Sequence, residues 1–351
     1  MSWLDNVRTC VPYTPGEQPD DPQMIKLNTN ENPYPPSPKA AECLAAFEAD
    51  SLRLYPDPTA GKLVHALAAR YGLSDDQVFV GVGSDDVLAM LFMTFFNGSK
   101  PILFPDITYS FYDVWAELLH IPYKQIPLDG HFQIRPEDYT IPNGGIVFPN
   151  PNAPTGCAMP LHQIEAIVAA NPDSVVLCDE AYVDFGTESA LPLIEKYDNL
   201  LVVQTFSKSR SLAGLRIGYA MGNPALIRYL NDVKYSFNSY TMNRPAIEIG
   251  SAAVADDDYF RECCRRIMET RTRAEERFEA LGFKFERSLS NFVFVTHPAM
   301  PAEEIFAKLR ARHIYVRYFK KPRIDNYLRV TIGTDEQMEA LFKALEEILG
   351  S

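Results

Sequence analysis

Two stretches of the sequence, 174-SVVLCDEAY-182 and 200-LLVVQTFSK-208, decide the fold. Each begins with an apolar run and ends in residues that carry chemistry, the first in Asp179 and the second in Lys208. A run that is apolar at every position has no solvent-facing side, so it predicts a central strand with both faces buried. Similar apolar runs alternate with segments of helical period along the chain, which is typical of an α/β protein with a mostly parallel central sheet flanked by helices.

The same pattern predicts the remaining elements and divides the chain. We expect further strands at 77–81, 101–105, 145–150 and 216–221, and helices between them at 84–96, 108–120 and 160–170. Beyond residue 243, long charged helices alternate with short strands, which indicates a smaller α+β domain. We therefore predict an N-terminal arm over 1–30, a large domain over 31–243 and a small domain over 244–351.

Composition and charge exclude several classes of protein. With 33 Lys and Arg against 46 Asp and Glu, the chain carries a formal net charge of −13, which disfavours nucleic acid and anionic lipid as partners. The longest apolar run, 87–96, is about half of the ~20 residues that a membrane span needs. The N-terminus lacks the features of a secretory signal, and the six cysteines show no paired spacing. We expect a cytoplasmic protein with reduced thiols.

Three polar features follow the predicted strands, at the edge where open α/β sheets bind ligands. Gly83-Ser84 opens a helix whose free amides suit an anion, and Asp86 stands where a dinucleotide-binding loop would continue with glycine. Asp179 follows a buried strand and needs a cationic partner, unless it is a helix cap or a Mg²⁺ ligand. Lys208 follows the next strand, where desolvation would favour a neutral amine that forms an imine with an aldehyde.

Together these features have the order and spacing of a known family. Motifs that resemble those of the class I and II aminotransferases, pyridoxal-phosphate enzymes of fold type I, are Gly83-Ser84, Asn150-Pro-Asn152-Ala-Pro154-Thr-Gly156, Asp179-x-x-Tyr182, Ser207-Lys208 and Arg216. Motifs similar to the branch that acts on histidinol phosphate are Val11-Pro-Tyr13-x-Pro-Gly16, Leu27-Asn-x-Asn-Glu-Asn-Pro33, Tyr55-Pro56, Thr205-Phe-Ser-Lys-Ser209 and Tyr327-Leu-Arg329-Val-Thr-Ile-Gly333. The resemblance spans nearly the whole chain and implies pyridoxal 5′-phosphate as the cofactor, with no metal.

The resemblance implies four contacts with the ring of the cofactor. Lys208 would bind the cofactor covalently and later shuttle a proton between the α-carbon of the substrate and the cofactor. Asp179 would keep the pyridinium nitrogen protonated, so that the ring accepts electrons. Tyr182 would donate to the phenolic oxygen, and Tyr109 would stack on the ring face.

The resemblance also implies how the phosphate of the cofactor is held. Ser84 and Asp85 would contribute backbone amides, Ser207 its hydroxyl and Arg216 its guanidinium. Tyr55 would reach the same phosphate from the partner subunit of a homodimer.

One position departs from the family pattern. Members usually carry an asparagine directly before Pro-Thr-Gly, where it binds the phenolic oxygen of the cofactor, whereas this chain has Ala153 there and Asn152 one residue earlier. Either the loop is threaded differently, so that Asn152 binds the cofactor, or Tyr182 acts with less help.

Substrate recognition is implied for four residues outside the cofactor motifs. Arg317 and Arg329 would bind the anionic group of each substrate, Tyr13 in the arm would close over it, and Asn30 would contribute to the same site. A surface salt bridge is the alternative role for either arginine.

The resemblance implies an aminotransferase of histidine biosynthesis that interconverts L-histidinol phosphate and imidazole-acetol phosphate, with 2-oxoglutarate and L-glutamate as the second pair. An aromatic amino-acid aminotransferase and a threonine-phosphate decarboxylase of the same fold are alternatives. A different class of protein, a Mg²⁺-dependent phosphate-binding module without pyridoxal phosphate, would use Asp179 as a metal ligand.

Overall fold

A computed structural model describes residues 2–350 of the chain. Its strands, in chain order, are β1 (Ile25–Lys26), β2 (Val78–Gly81), β3 (Ile102–Pro105), β4 (Tyr123–Ile126), β5 (Ile146–Pro149), β6 (Val176–Asp179), β7 (Leu200–Thr205), β8 (Gly218–Gly222), β9 (Lys284–Phe285), β10 (Phe292–Thr296), β11 (Ile314–Tyr315), β12 (Arg317–Tyr318) and β13 (Leu328–Thr331). Its α-helices are α1 (Pro38–Ala45), α2 (Gly61–Tyr71), α3 (Ser84–Phe95), α4 (Tyr112–Leu119), α5 (Leu161–Ala170), α6 (Pro224–Phe237), α7 (Arg244–Val254), α8 (Asp257–Ala280), α9 (Ala302–Arg310) and α10 (Asp335–Leu349).

The central sheet has the strand order β2-β8-β7-β6-β5-β3-β4. Strands β4, β3, β5, β6 and β7 are parallel, and β8 runs antiparallel to both of its neighbours. The predicted α/β class with a mostly parallel sheet is therefore confirmed. The parallel strands end at one edge of the sheet, so the loops that follow β3, β5, β6 and β7 meet there.

The apolar runs form central strands because side chains from both faces of the sheet are buried. In β7, Leu200 and Val202 pack into one apolar cluster, whereas Leu201 and Val203 pack into a second cluster on the other side. Successive residues of a strand point to opposite faces, so a strand covered on both sides must be apolar throughout.

The edge strand β4 is an element that the sequence did not predict. Its residues Lys124 and Gln125 are exposed, and only Ile126 is buried. A short, mostly polar edge strand lacks the apolar run by which the central strands are recognised. The predicted strands and helices of the large domain are otherwise present, with bounds that differ by a few residues.

The small domain contains the antiparallel sheet β12-β13-β10-β9, which packs with α8, α9 and α10. The arm joins this domain, because β1 pairs in parallel with β11. Helix α7, which starts at the predicted boundary of residue 244, packs against α1 and α2. The boundary itself stays a prediction.

Membrane spans, disulfides and metal clusters are absent from the described residues. None of the helices within 2–350 is both long and apolar enough to span a membrane. All six cysteines are free thiols. Within the same range, no three or more His, Cys, Asp or Glu side chains are grouped so as to hold a metal ion.

Candidate active site

A cavity of about 170 Å³ lies at the carboxyl edge of the central sheet. The loops that follow β6 and β7 form its floor, and the start of α3 forms one end. It is lined by eight of the residues that the sequence proposed for a cofactor site, namely Ser84, Asp85, Tyr109, Asp179, Tyr182, Ser207, Lys208 and Arg216. Residues spread over more than 130 positions of sequence thus meet in one cavity because parallel strands end together.

Lys208 lines this cavity and is half-buried. Its Nζ donates a hydrogen bond to the backbone carbonyl of Thr29 at 3.1 Å and lies 5.7 Å from the centre of the Tyr182 ring. The amine is therefore held by one neutral acceptor beside an aromatic wall. It is accessible from the cavity for covalent bonding or proton transfer.

Asp179 is buried at the end of β6, and its hydrogen bonds come from neutral donors. The Tyr112 hydroxyl donates to Oδ2 at 2.8 Å, and the Ala181 amide donates to Oδ1 at 3.2 Å. Burial raises the pKa of Asp179 to about 6, although both hydrogen bonds oppose this shift. A buried carboxylate in these surroundings gains free energy from a cation, so it suits the protonated nitrogen of a heterocycle.

One end of the cavity is built to bind an anion. Gly83 has a φ of +85°, and a Cβ atom there would lie 2.5 Å from Nη2 of Arg216, so only glycine lets the guanidinium approach the start of α3. Arg216 Nη2 donates to Asp85 Oδ2 at 3.3 Å, and Nη1 lies 3.5 Å from the Ser207 hydroxyl oxygen. Amides in the first turn, including that of Ser84, have no acceptor within the helix. This inner anion site fits a phosphate group.

Two tyrosines form the side walls of the cavity. The Tyr109 hydroxyl donates to Asp85 Oδ1 at 2.6 Å, and burial raises the pKa of Tyr109 well above its ordinary value. The Tyr182 hydroxyl oxygen accepts a hydrogen bond from Asn30 Nδ2 at 2.9 Å. Asn30, which we expected to bind substrate, lines the mouth of the cleft but uses its amide to hold a tyrosine.

A second, larger cavity of about 470 Å³ opens from the first and shares Tyr182, Lys208 and Arg216 with it. The four residues that the sequence proposed for substrate binding all line it, namely Tyr13, Asn30, Arg317 and Arg329. Tyr13 stacks on Phe111, with ring centres 4.1 Å apart, so the arm covers one side of this cavity.

Arg317 and Arg329 form an outer anion site, and both guanidinium groups donate to backbone carbonyls. Arg329 Nη2 donates to the Asn28 carbonyl at 2.9 Å, and its Nε is buried without a partner among residues 2–350. Burial lowers the pKa of Arg329. Arg317 donates to the carbonyls of Thr14 and Pro15 at 3.2 and 3.3 Å. A half-buried guanidinium bonded to neutral acceptors gains free energy from an added anion.

Asn152 is not brought into the site. Its Nδ2 donates to the Ile107 carbonyl at 2.9 Å and to the Thr155 hydroxyl at 3.1 Å, and its Oδ1 accepts from the Thr108 hydroxyl at 3.0 Å. The side chain therefore fixes the loop, and Ala153 lines the cavity instead. This geometry favours the second of the two alternatives, in which Tyr182 acts without help from Asn152.

Tyr55 also lies outside the cavity of its own chain. Its side chain is 79% exposed and lies against Tyr240, with ring centres 4.7 Å apart. Within one chain it cannot contact the inner anion site, so its proposed role depends on a second copy.

Two contacts in the site involve residues that the sequence did not single out. Tyr112 holds Asp179, and Thr29 contacts Lys208 through its backbone carbonyl. A main-chain contact leaves no trace in residue type. In the sequence, Tyr112 looks like any core tyrosine on an amphipathic helix. Its contact with Asp179 is visible only in the structure.

Comparison with known proteins agrees with this geometry. The family described as Aminotransferase class I and II matches residues 22–345 of the chain. Histidinol-phosphate aminotransferase from Pseudomonas putida is 53% identical over 343 residues, which cover 98% of this chain and 99% of that protein. A protein of the same name from Marinomonas sp. is 55% identical over 349 residues, with 99% of each chain covered.

Solved structures share the fold. Histidinol-phosphate aminotransferase from Sinorhizobium meliloti in complex with pyridoxal-5′-phosphate has a TM-score of 0.85 at 24% identity, covering 92% of this chain and 90% of that chain. L-threonine-O-3-phosphate decarboxylase from Porphyromonas gingivalis has a TM-score of 0.78 at 22% identity, covering 93% and 99%. At these identities the similarity establishes the fold and leaves the choice of substrate to the site.

Proposed function

The chain belongs to the class I and II aminotransferases, and from this premise we propose that it is a histidinol-phosphate aminotransferase. In this role it would interconvert L-histidinol phosphate and imidazole-acetol phosphate, with 2-oxoglutarate and L-glutamate as the second pair, in histidine biosynthesis. The observation that carries the proposal is a cleft, lined by Lys208, that holds two groups of arginines, Arg216 beside Asp85 and the pair Arg317 and Arg329. The inner site suits the phosphate of a cofactor, and the outer site suits the phosphate of an amine substrate.

Pyridoxal 5′-phosphate is the cofactor that the lining residues fit. Arg216, Ser207 and the first turn of α3 would hold its phosphate, and Asp179 would hold the proton on the ring nitrogen. Tyr182 would donate to its phenolic oxygen, and Tyr109 would pack on its ring. When bound, the cofactor supplies an electron-accepting ring that stabilises negative charge at the α-carbon of the substrate.

Lys208 would perform the proton transfer. Its Nζ would remove a proton from the α-carbon of the amine substrate and deliver it to the C4′ carbon of the cofactor. The Thr29 carbonyl, 3.1 Å from Nζ, gives the free amine one fixed acceptor and so limits where it can point. Tyr182 and the arm above it shield the reacting carbon from water.

The outer site would select the substrates. Arg317 and Arg329 present forked donors that suit the phosphate of histidinol phosphate and equally a carboxylate of 2-oxoglutarate or glutamate. In a chain with a net charge of −13, localised cations are needed to attract such anions. Tyr13 would cover the bound group, because it lies beside both arginines at the cavity mouth.

The proposal is tested by steady-state kinetics with 2-oxoglutarate as the amino acceptor. Histidinol phosphate, phenylalanine, tyrosine and aspartate are compared as amino donors for the purified enzyme loaded with pyridoxal phosphate. We expect histidinol phosphate to have a kcat/KM at least about 10²-fold above the others, the worth of one charged hydrogen-bonding group. A higher value for phenylalanine or tyrosine would instead identify an aromatic aminotransferase.

The proposal includes a homodimer in which Tyr55 reaches the inner anion site of the other subunit. It is supported by the exposure of Tyr55, which lies with exposed Leu52 and Leu54 on a surface of the large domain. Mixing inactive Lys208→Ala chains with weakened Tyr55→Phe chains tests it. One site of each mixed dimer then carries both defects and the other carries neither, so activity should exceed the mean of the parents. Activity equal to that mean would place Tyr55 outside the partner's site.

The cytoplasm is the compartment that we propose for this enzyme. Six free thiols are typical of proteins that fold in a reducing compartment. Disulfides that form in the native protein isolated under oxygen-free conditions would contradict this assignment.

A further inference from the structure

Asn30 and Tyr182 form a buried pair whose hydrogen-bond direction is fixed. Asn30 is 1% exposed and Tyr182 is 8% exposed, and the two side chains meet at 2.9 Å between Nδ2 and the hydroxyl oxygen. An amide nitrogen only donates, so the phenol oxygen must accept in this contact. The proton of the phenol is therefore left free for a different acceptor, and Tyr182 lines the cofactor cavity.

The small domain holds the Asn30 amide in this orientation. Its Oδ1 accepts from the Thr331 hydroxyl at 3.0 Å, and its backbone N–H donates to the same hydroxyl oxygen at 3.1 Å. Asn291 Nδ2 donates to the Asn30 carbonyl at 3.0 Å. A flipped amide would turn its nitrogen toward the Thr331 hydroxyl, which already accepts from the Asn30 backbone N–H. The hydroxyl would then face two N–H donors and lose Oδ1, the acceptor of its own proton.

The backbone at Asn30 also favours this residue type. Its φ of +58° lies in the left-handed region, which asparagine adopts more readily than other residues with a Cβ atom. Both the conformation and the side-chain contacts of Asn30 are therefore satisfied by asparagine. Glycine would satisfy the conformation alone.

The cavity residues near Tyr182 offer few other hydrogen-bond donors, so the direction of its own proton matters. Ala153, which lines the same cavity, has no side-chain donor, and the Asn152 amide is bound to its own loop. The phenol of Tyr182 is thus the side-chain donor that this wall offers to a phenolic oxygen in the cavity.

We propose that Asn30 is a positioning residue, which directs the phenol proton of Tyr182 toward the phenolic oxygen of the cofactor. This contact would compensate for the absence of an asparagine at position 153. This inference rests on the proposed function, because it presumes pyridoxal phosphate in the cavity. A phenol that accepts a hydrogen bond is also a stronger donor, so Asn30 acts on both the direction and the strength of the contact.

The test uses Asn30→Gly, which keeps the left-handed backbone and removes the amide without adding charge. A hydrogen bond donated to the phenolic oxygen stabilises its negative charge, and so lowers the pH at which the bound chromophore loses its proton. We expect the pH midpoint of the visible absorbance change to rise by about one unit in the loaded Asn30→Gly enzyme, the worth of a hydrogen bond to a charged group. The control Asn97→Gly alters an exposed asparagine that bonds only to carbonyls of α3, and it should leave the midpoint unchanged.

Tyr182→Phe separates positioning from a structural role. The midpoint should rise in this variant as well, and adding Asn30→Gly to it should produce no further shift, because the amide acts only through the phenol. Shifts that add in the double variant, or an unchanged midpoint in Asn30→Gly, would overturn the inference.

Thr331→Val serves if Asn30→Gly does not fold, because it frees the amide while retaining Asn30. We expect a smaller shift in the same direction, and an unchanged midpoint would again overturn the inference. The readout needs no amine substrate, so it is independent of which donor the enzyme prefers. Wild-type protein that shows no visible band with pyridoxal phosphate would refute the proposed function instead.

Discussion

The two ends of the cleft present arginines in different surroundings. At the inner end, Arg216 is paired with Asp85 and works with the start of a helix, all within loops of the large domain. At the outer end, Arg317 and Arg329 come from two strands of the small domain and donate to carbonyls of the arm. The inner site is partly neutralised before its ligand arrives, whereas the outer site is not. The comparison indicates a permanent phosphate inside and exchanging substrates outside.

Replacing the residue between the two ends should have the largest effect. Lys208→Ala removes the amine that carries the proton, and we expect turnover to fall by on the order of 10⁴-fold or more. Both anion sites should survive, so the variant should still bind histidinol phosphate. Borohydride reduction of the loaded wild-type enzyme, followed by peptide mapping, should label Lys208. A label on another lysine would show that Lys208 is not the residue that binds the cofactor.

Replacing the inner arginine should weaken the binding of the cofactor and affect all amine substrates equally. Arg216→Ala loses a charged partner of the phosphate, and we expect the Kd of pyridoxal phosphate to rise by roughly 10- to 100-fold. Fluorescence titration of cofactor-free protein measures this change. At saturating cofactor, the ratio of kcat/KM between histidinol phosphate and histidinol should stay as in wild type. A changed ratio would mean that the two ends are not distinct.

The smallest effect concerns a carboxylate next to the inner site. Glu180 is buried beside Asp179, where it accepts from Ser189, Ala190 and Gln204, and burial raises its pKa to about 7. The folded protein therefore holds a proton that the unfolded chain releases near pH 4.5. The stability that this proton contributes is present at acid pH and is lost as the pH rises to about 7, at no more than ~1.4 kcal/mol per pH unit.

Glu180→Gln isolates this contribution. Urea unfolding of cofactor-free protein at pH 5 and pH 8 should show a smaller loss of unfolding free energy with rising pH in the variant than in wild type. Asp179 shifts in the same direction and stays in both proteins, so it cancels from the comparison. Equal pH dependence in the two proteins would show that Glu180 titrates normally.

The two ends also differ in how well the sequence predicted them. The members of the inner site were named by their match to the family motifs, and they line one cavity because loops that follow parallel strands meet at one edge of the sheet. Asn152 was assigned to the cofactor because its residue type fitted, but the distances show that its amide is used by neighbouring loop residues. Residue types do not reveal which of two nearby groups a side chain contacts.

The outer site depended on resemblance because its parts are far apart in the sequence. Tyr13 and Arg329 meet only through the pairing of β1 with β11 and the packing of the arm on the small domain. Helix α7 has an apolar face that would fit either core, and its partner is decided by tertiary packing.

Arg329→Ala is the sharpest test of how the outer site selects its substrate. The kcat/KM of wild type and variant is measured with histidinol phosphate and with unphosphorylated histidinol, at saturating pyridoxal phosphate and 2-oxoglutarate. We expect the variant to lose on the order of 10²-fold or more with histidinol phosphate and much less with histidinol, because only the ester brings the anion that Arg329 binds. Equal losses with both donors, or wild-type enzyme that uses histidinol as well as its phosphate ester, would contradict the account.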